Sequence, residues 1–319
     1  MDVGIMVEGQ QGLTWERWRH IVHRVEELGF DSLWRSDHFF SFGDDRSIPS
    51  LEAMVSLAVA ASESWRITFG PLVCSMTFRH PSLLARMAAH LDQLSGGRLV
   101  LGVGAGWNVP EHEAYGIPFP PVATRMDMLE EGVQVLRALW AGGPTSFSGK
   151  HFQLRDAYCE PRPGRPTRLL IGGAGEKRTL RIAAQHADEW NCVALTPEQF
   201  AAKREVLLAH CRDVGRDAST IRCSLMTWAL VGETEEEIDE LARRATENFA
   251  TLAGMTPAKV RHVMGSRGWP VGRPEQLVQH LRALAAAGVS RVMLQHVDYN
   301  NDRFLEMLAR HVVPAVRDF

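Results

Sequence analysis

The side chains best suited to chemistry begin with Asp37 and His38, which close the run Trp34-Arg35-Ser36-Asp37-His38-Phe39. An acid and an imidazole at the end of an apolar run offer proton transfer. Histidine titrates nearest neutral pH, and a half-buried carboxylate is costly unless something pairs with it. Such a pair can equally cap the following loop, and these residues alone leave both readings open. Four other stretches have compositions suited to holding a ligand. Glu8-Gly9-Gln10-Gln11-Gly12 is polar and glycine-rich, Pro71–Thr77 ends in small hydroxylated residues, and Gly102-Val103-Gly104-Ala105-Gly106-Trp107-Asn108 alternates glycine with larger residues. The fourth, Gly172-Gly173-Ala174-Gly175-Glu176-Lys177-Arg178, has the clearest physical meaning. Small residues let the backbone approach an anion, N–H groups at a helix start donate to it, and Lys177 and Arg178 add positive charge. The bland alternatives are a tight connection at Gly172–Gly175, glycines that fit a tapering barrel, and a loop-covering Trp107.

These stretches have to be positioned by regular elements, and the apolar pattern supplies them. Strand-like runs fit Val3–Val7, Phe30–Arg35, Ile67–Val73, Leu99–Val103, Leu169–Ile171, Trp190–Val193, Cys223–Val231 and Arg291–Leu294. Helical patterns separate them. One stops at Gly29, one starts at Pro81, and two start at Thr196-Pro197-Glu198-Gln199 and Thr234-Glu235-Glu236-Glu237, which match the capping box. The last helix carries Phe304, Leu305, Leu308 and Val312. Eight strands, each followed by a helix, predict an α/β fold, a closed (β/α)8 TIM barrel of one domain over residues 1–319, with an open doubly wound sheet as the alternative. Two segments stand outside the repeat. Residues 142–168, after strand 4, read as a hairpin turning at Ser148-Gly149, and residues 250–272, after strand 7, as a lid-like insertion. In a barrel the ligand-suited stretches all fall at the C-terminal ends of strands, the face where such folds work, so their convergence predicts a cofactor pocket.

Composition narrows the classes. The chain has 319 residues, of which 45% are hydrophobic, and a net charge of −3 with neither sign segregated, which argues against nucleic-acid or membrane partners. Met1-Asp2-Val3-Gly4-Ile5 lacks a signal-peptide pattern, no apolar run reaches membrane-span length, and the expected location is the cytoplasm. Five scattered cysteines form no CxxC pair, so neither a disulfide framework nor a metal site is expected.

The chain resembles the luciferase-like monooxygenase superfamily, and within it the branch using the deazaflavin F420. The resemblance is nearly full length. It rests on Ser36-Asp37-His38-Phe39, Thr77-Phe78-Arg79-His80-Pro81, Leu101–Asn108, Tyr115-Gly116-Ile117-Pro118-Phe119-Pro120 and Ile171–Arg178 followed by Ala187-Asp188. It implies a (β/α)8 barrel with insertions. It implies also that Asp37 lies against the cofactor headgroup and that His38 is the catalytic acid/base at the reactive face. Leu72-Val73 falls where the family has a cis non-prolyl peptide behind the ring, and Ser75, Ala105 and Asn108 where cofactor contacts are expected. Gly172, Gly173, Ala174 and Gly175 would hold the phosphate with Lys177 nearby, while Glu8, Phe42 and Trp107 would face the substrate. The similar sugar-phosphate dehydrogenases carry a glutamate base in the segment where Trp107 stands. Its absence leaves His38 without that partner, with Glu8 or His80 as substitutes, and favours an F420H2-dependent reductase of a small organic substrate. The alternatives are an FMN-dependent monooxygenase and, from another class, a non-catalytic flavin-binding barrel. The resemblance also suggests a homodimer or higher homo-oligomer.

Overall fold

Strands that read as nearly continuous apolar runs belong in a parallel sheet covered on both faces, because neither face can meet water. The computed structural model describes residues 1–43, 45–248 and 250–319. Its strands are β1 (Asp2–Val7), β2 (Ser32–Arg35), β3 (Thr68–Pro71), β4 (Cys74–Ser75), β5 (Val100–Gly104), β6 (Thr145–Ser148), β7 (Gln153–Ala157), β8 (Arg168–Gly172), β9 (Glu189–Val193), β10 (Arg222–Thr227), β11 (Leu230–Val231), β12 (Val271–Gly272) and β13 (Arg291–His296). The helices are α1 (Trp15–Glu27), α2 (Ala53–Glu63), α3 (Pro81–Leu94), α4 (Val109–Tyr115), α5 (Val122–Ala141), α6 (Thr179–His186), α7 (Pro197–Asp213), α8 (Glu235–Asn248), α9 (Pro257–Ser266), α10 (Pro274–Ala286), α11 (Arg303–Met307) and α12 (Val313–Val316).

Nine strands form one parallel sheet in the order β3-β2-β1-β13-β10-β9-β8-β5-β4, and a parallel bridge between Phe69 and Leu99 brings its two ends together. The sheet is the expected barrel. The ninth strand appears because the third strand is cut in two. It hydrogen-bonds to β2 through Thr68–Pro71, bends at Leu72-Val73, and resumes beside β5 as Cys74–Ser75. Inside the barrel, Met6, Trp34, Leu72, Val100, Leu170, Met226 and Met293 pack into a solid plug, so the interior is filled and not a pore. The larger core lies between sheet and helices, with Trp18, Phe30, Trp190 and Phe200 among its largest buried side chains.

Three expectations need correction. The single strand over Cys223–Val231 ends at Thr227, and Leu230–Val231 leaves the barrel to pair in parallel with Val271–Gly272 of the insertion. The last helix is interrupted: Leu308–Val312 is a π-helical turn between α11 and α12, next to Pro314, whose missing N–H removes one rung of the ladder. The stretch before α5 contains α4, a seven-residue helix absent from the helical pattern read in the sequence. The hairpin is formed by β6 and β7, antiparallel, and the carboxylate of Glu131 on α5 accepts from the N–H groups of Lys150, His151 and Phe152, pinning its tip. Of the two capping boxes, the one at Thr196 is complete, with Gln199 returning a bond to the Thr196 N–H. At Thr234 the hydroxyl accepts from the Glu237 N–H, but the Glu237 carboxylate accepts from the N–H of Glu233, one residue early.

Candidate active site

At the C-terminal ends of the strands lies a cavity of about 530 Å³. Of the residues singled out in the sequence, Glu8, Asp37, His38, Phe42, Leu72, Val73, Ser75, Ala105, Trp107, Asn108, Gly172 and Gly173 line it together. Ala174, Gly175 and Lys177 lie outside its lining. His80 does not line it either: its ring bonds to the Ser82 hydroxyl at 2.7 Å and caps α3.

His38 does have a carboxylate partner, contrary to expectation. Its Nδ1 lies 2.8 Å from Oε2 of Glu111, while Oε1 accepts from the Phe39 N–H at 2.6 Å. Glu111 is fully buried, so its charge has only these two groups to answer it among the described residues. The bond fixes the tautomer of the neutral ring: Nδ1–H donates to the carboxylate, and Nε2, on the wall of the cavity, has no hydrogen bond among the described residues. Phe42 and Trp107 hold the imidazole edge-on, with ring centroids 4.7 and 5.5 Å away. Asp37 is buried as well and takes both Nη groups of Arg79, at 2.5 and 3.0 Å; Arg79 also pairs with Glu52. The negative charge of Asp37 is thereby answered from behind.

The back wall is built around Val73. The Leu72–Val73 peptide is cis, and the Val73 side chain fits against three glycines. A Cβ placed on Gly102, Gly104 or Gly172 would stand 2.9–3.0 Å from a Val73 methyl. The alternating glycines are therefore a packing requirement of this wall as well as a feature of a ligand pocket. Beside it runs a chain of hydroxyls: Ser75 Oγ lies 2.6 Å from Thr77 Oγ1, which lies 2.7 Å from Nε2 of the buried His112. The His112 Nδ1–H donates to the Asn108 carbonyl at 2.6 Å, so in the neutral ring Nε2 accepts from Thr77, Thr77 accepts from Ser75, and Ser75 offers the cavity a lone pair. Gly106 must be glycine for this chain to pass, since its φ is +77° and a Cβ would lie 2.2 Å from Ser75 Oγ.

The turn from β8 to α6 keeps part of its expected form. Gly173 (φ +126°) ties back to β9, its N–H donating to Asn191 O and its carbonyl accepting from Trp190 Nε1. The N–H groups of Ala174 and Gly175 donate to no group among the described residues. Arg178 is committed elsewhere: it pairs with Asp127 at 2.8 Å and Glu130 at 3.2 Å on α5, correcting its placement beside the turn's ligand. Lys177 is exposed and makes no ion pair among the described residues.

The sequence reading missed Glu111, Thr77 as a relay and His112, as well as Thr179, Asn191, Met226 and Trp228 on the cavity wall. A signal for α4 did exist. Asn108 precedes it, Pro110 occupies its first turn and Gly116 ends it in the left-handed conformation (φ +65°), the usual start and stop marks of a helix.

A barrel with a fixed imidazole, a glycine-lined wall and a turn of free N–H groups at one mouth defines a cofactor-dependent oxidoreductase scaffold. The family model described as luciferase-like monooxygenase matches residues 1–291, and the chain belongs to that family. Among its relatives is a pyrimidine monooxygenase, RutA, of Stutzerimonas stutzeri, 30% identical over 78% of this chain and 72% of that protein. The match to the corresponding protein of Klebsiella pneumoniae subsp. pneumoniae spans 64% of its length. An F420-dependent glucose-6-phosphate dehydrogenase of Amycolatopsis mediterranei is 25% identical over 92% of both chains. Among solved structures, an F420-dependent secondary alcohol dehydrogenase bound to an F420-acetone adduct superposes with a TM-score of 0.83 over 99% of both chains at 24% identity, a likeness of fold. No helix among the described residues is long and apolar enough to cross a membrane.

Proposed function

We propose that this protein is an F420H2-dependent reductase of a small, electron-poor organic substrate, with His38 as the proton donor. The observation that carries the reading is the His38–Glu111 pair. It holds one imidazole nitrogen at 2.8 Å and leaves the other unbonded on the wall of a cavity large enough for a planar ring and a substrate. The chain fits a flavin-type cofactor on two counts. The unused N–H groups of Ala174 and Gly175 suit its phosphate, and the glycine-cleared wall at Val73 suits its flat ring. Bound in reduced form, a deazaflavin supplies a hydride to an electron-poor carbon. The residues do the rest. In its doubly protonated form His38 gives the Nε2 proton to the substrate atom that takes up the electron pair and is left as the Nδ1–H tautomer, while the Glu111 carboxylate serves as counter-ion and keeps the ring from turning. Phe42 and Trp107 brace the imidazole, and Ser75 would accept a cofactor N–H with the lone pair that the Thr77–His112 chain leaves it.

The RutA relatives favour a second reading, an FMN-dependent monooxygenase, since reduced FMN reacts readily with oxygen whereas a reduced deazaflavin reacts poorly. Titrating the purified protein with F420 and with FMN separates the two. Saturable F420 binding, together with a His38→Ala variant that loses about 100-fold or more in turnover and little in cofactor affinity, is the expected result. FMN binding with none for F420 would overturn the proposal.

A further inference from the structure

The cavity has a one-sided charge. Among the described residues its wall contains two carboxylates, Glu8 and Asp37, one imidazole, and no lysine or arginine. The two acids are not equivalent. Asp37 is neutralised by Arg79. Glu8 is 9% exposed, and among the described residues its one side-chain partner is the uncharged amide of Gln10, which donates to Oε2 at 2.8 Å. That amide is itself fixed, because Ser36 Oγ donates to Gln10 Oε1 at 2.6 Å and accepts from the Gly9 N–H at 3.0 Å. The Tyr299 hydroxyl anchors the same residue by donating to the Glu8 carbonyl at 2.8 Å. Glu8 is thus a rigidly held carboxylate whose second oxygen has no hydrogen-bond partner among the described residues, on a wall that also carries aromatic, small, amide and thioether side chains.

An anionic group entering this space would meet like charge, with no lysine or arginine on the described wall to answer it. Lys177, exposed and outside the lining, follows the turn suited to the cofactor phosphate. We infer that the substrate carries no phosphate, carboxylate or sulfonate, and that Glu8 enforces this as a specificity-determining residue. The substrate class is an uncharged, flat, electron-poor compound. This rests on the reductase reading, but the discrimination against anions is set by the wall and holds for either cofactor.

The test uses two ring systems that differ in charge: menadione, which is neutral, and 1,4-naphthoquinone-2-sulfonate, which is anionic. Binding is read from quenching of tryptophan fluorescence in protein saturated with whichever of F420 or FMN binds, and without cofactor. The wild-type protein should prefer menadione by about tenfold or more. Glu8→Gln, which keeps the length of the side chain, should tighten sulfonate binding by about fivefold and leave menadione within about twofold. Trp107→Lys, at a rim position 63% exposed, should tighten sulfonate binding without disturbing the Glu8 support. Equal affinity of wild type for the two probes, or a preference that neither variant alters, would overturn the inference. Failure to bind F420 while the preference persists would overturn the reductase reading instead.

Discussion

His38 and Glu111 make a unit in which each explains the other. A fully buried carboxylate without a cation needs donors, and the imidazole and the Phe39 N–H supply them; an imidazole that must present one nitrogen to a ligand needs the other held. Glu111→Gln keeps the size and one acceptor but removes the charge that balances a protonated ring. It should lower kcat by about 10- to 100-fold with cofactor affinity changed less than about twofold, measured by steady-state kinetics and by titration. A fall in affinity equal to the fall in kcat would make Glu111 structural. Asp37 and His38 were legible because they adjoin each other at a strand end. Glu111 was not, because it meets His38 across 73 residues from a helix of seven, too short to show a period. The sequence reading looked for a carboxylate at position 107; the fold supplies one a helical turn later, behind the histidine.

Among the elements, β5 keeps Gly104 and β8 keeps Gly172 because the Val73 side chain, at the bend between β3 and β4, stands against both. Gly104→Ala puts a methyl 2.9 Å from Val73 Cγ2. Overpacking of this kind costs about 1–3 kcal/mol, and here the strain falls on the wall of the cavity, so thermal stability and cofactor affinity should fall together. Calorimetry with a cofactor titration checks it; an unchanged affinity would show the wall to be more yielding than its packing indicates. The barrel strands were readable because a parallel strand buried on both faces leaves a continuous apolar run. Their ends were not. At Thr227 the apolar run continues through Leu230–Val231, and composition alone does not say that those two residues pair with the insertion and not with the barrel. At Leu72-Val73 the run likewise continues while the hydrogen-bonding partner changes from β2 to β5.

For the whole molecule, closing the barrel brings the chain's two ends together: the Met1 ammonium donates to the carbonyls of Val316 at 2.8 Å and Phe319 at 3.2 Å. At the opposite end of the strands His296, which closes β13 beside Val7, is wholly buried, and burial lowers its pKa to about 4, with Asp302 pulling the other way and His20 adding to the fall. Because the folded value is depressed, the unfolded chain binds a proton between about pH 6.5 and 4 that the folded chain refuses. Stability is unaffected above that window and drops within it, by about 2 kcal/mol between pH 7.5 and 5. His296→Phe, beside the parallel ring of Phe304, should flatten that slope in urea unfolding at the two pH values; an unchanged slope would assign it to another group. The annex that starts where β10 leaves the barrel has a different consequence. β11 and β12 pair only with each other, and Leu230, Ala242, Ala245, Leu252, Val260 and Met264 form a small core of their own. It reaches the cavity through Trp228, which packs on Trp269 at 4.3 Å. Because the annex has its own core and no rung in the barrel ladder, a change within it would reach the site through Trp228 while leaving the barrel strands in register.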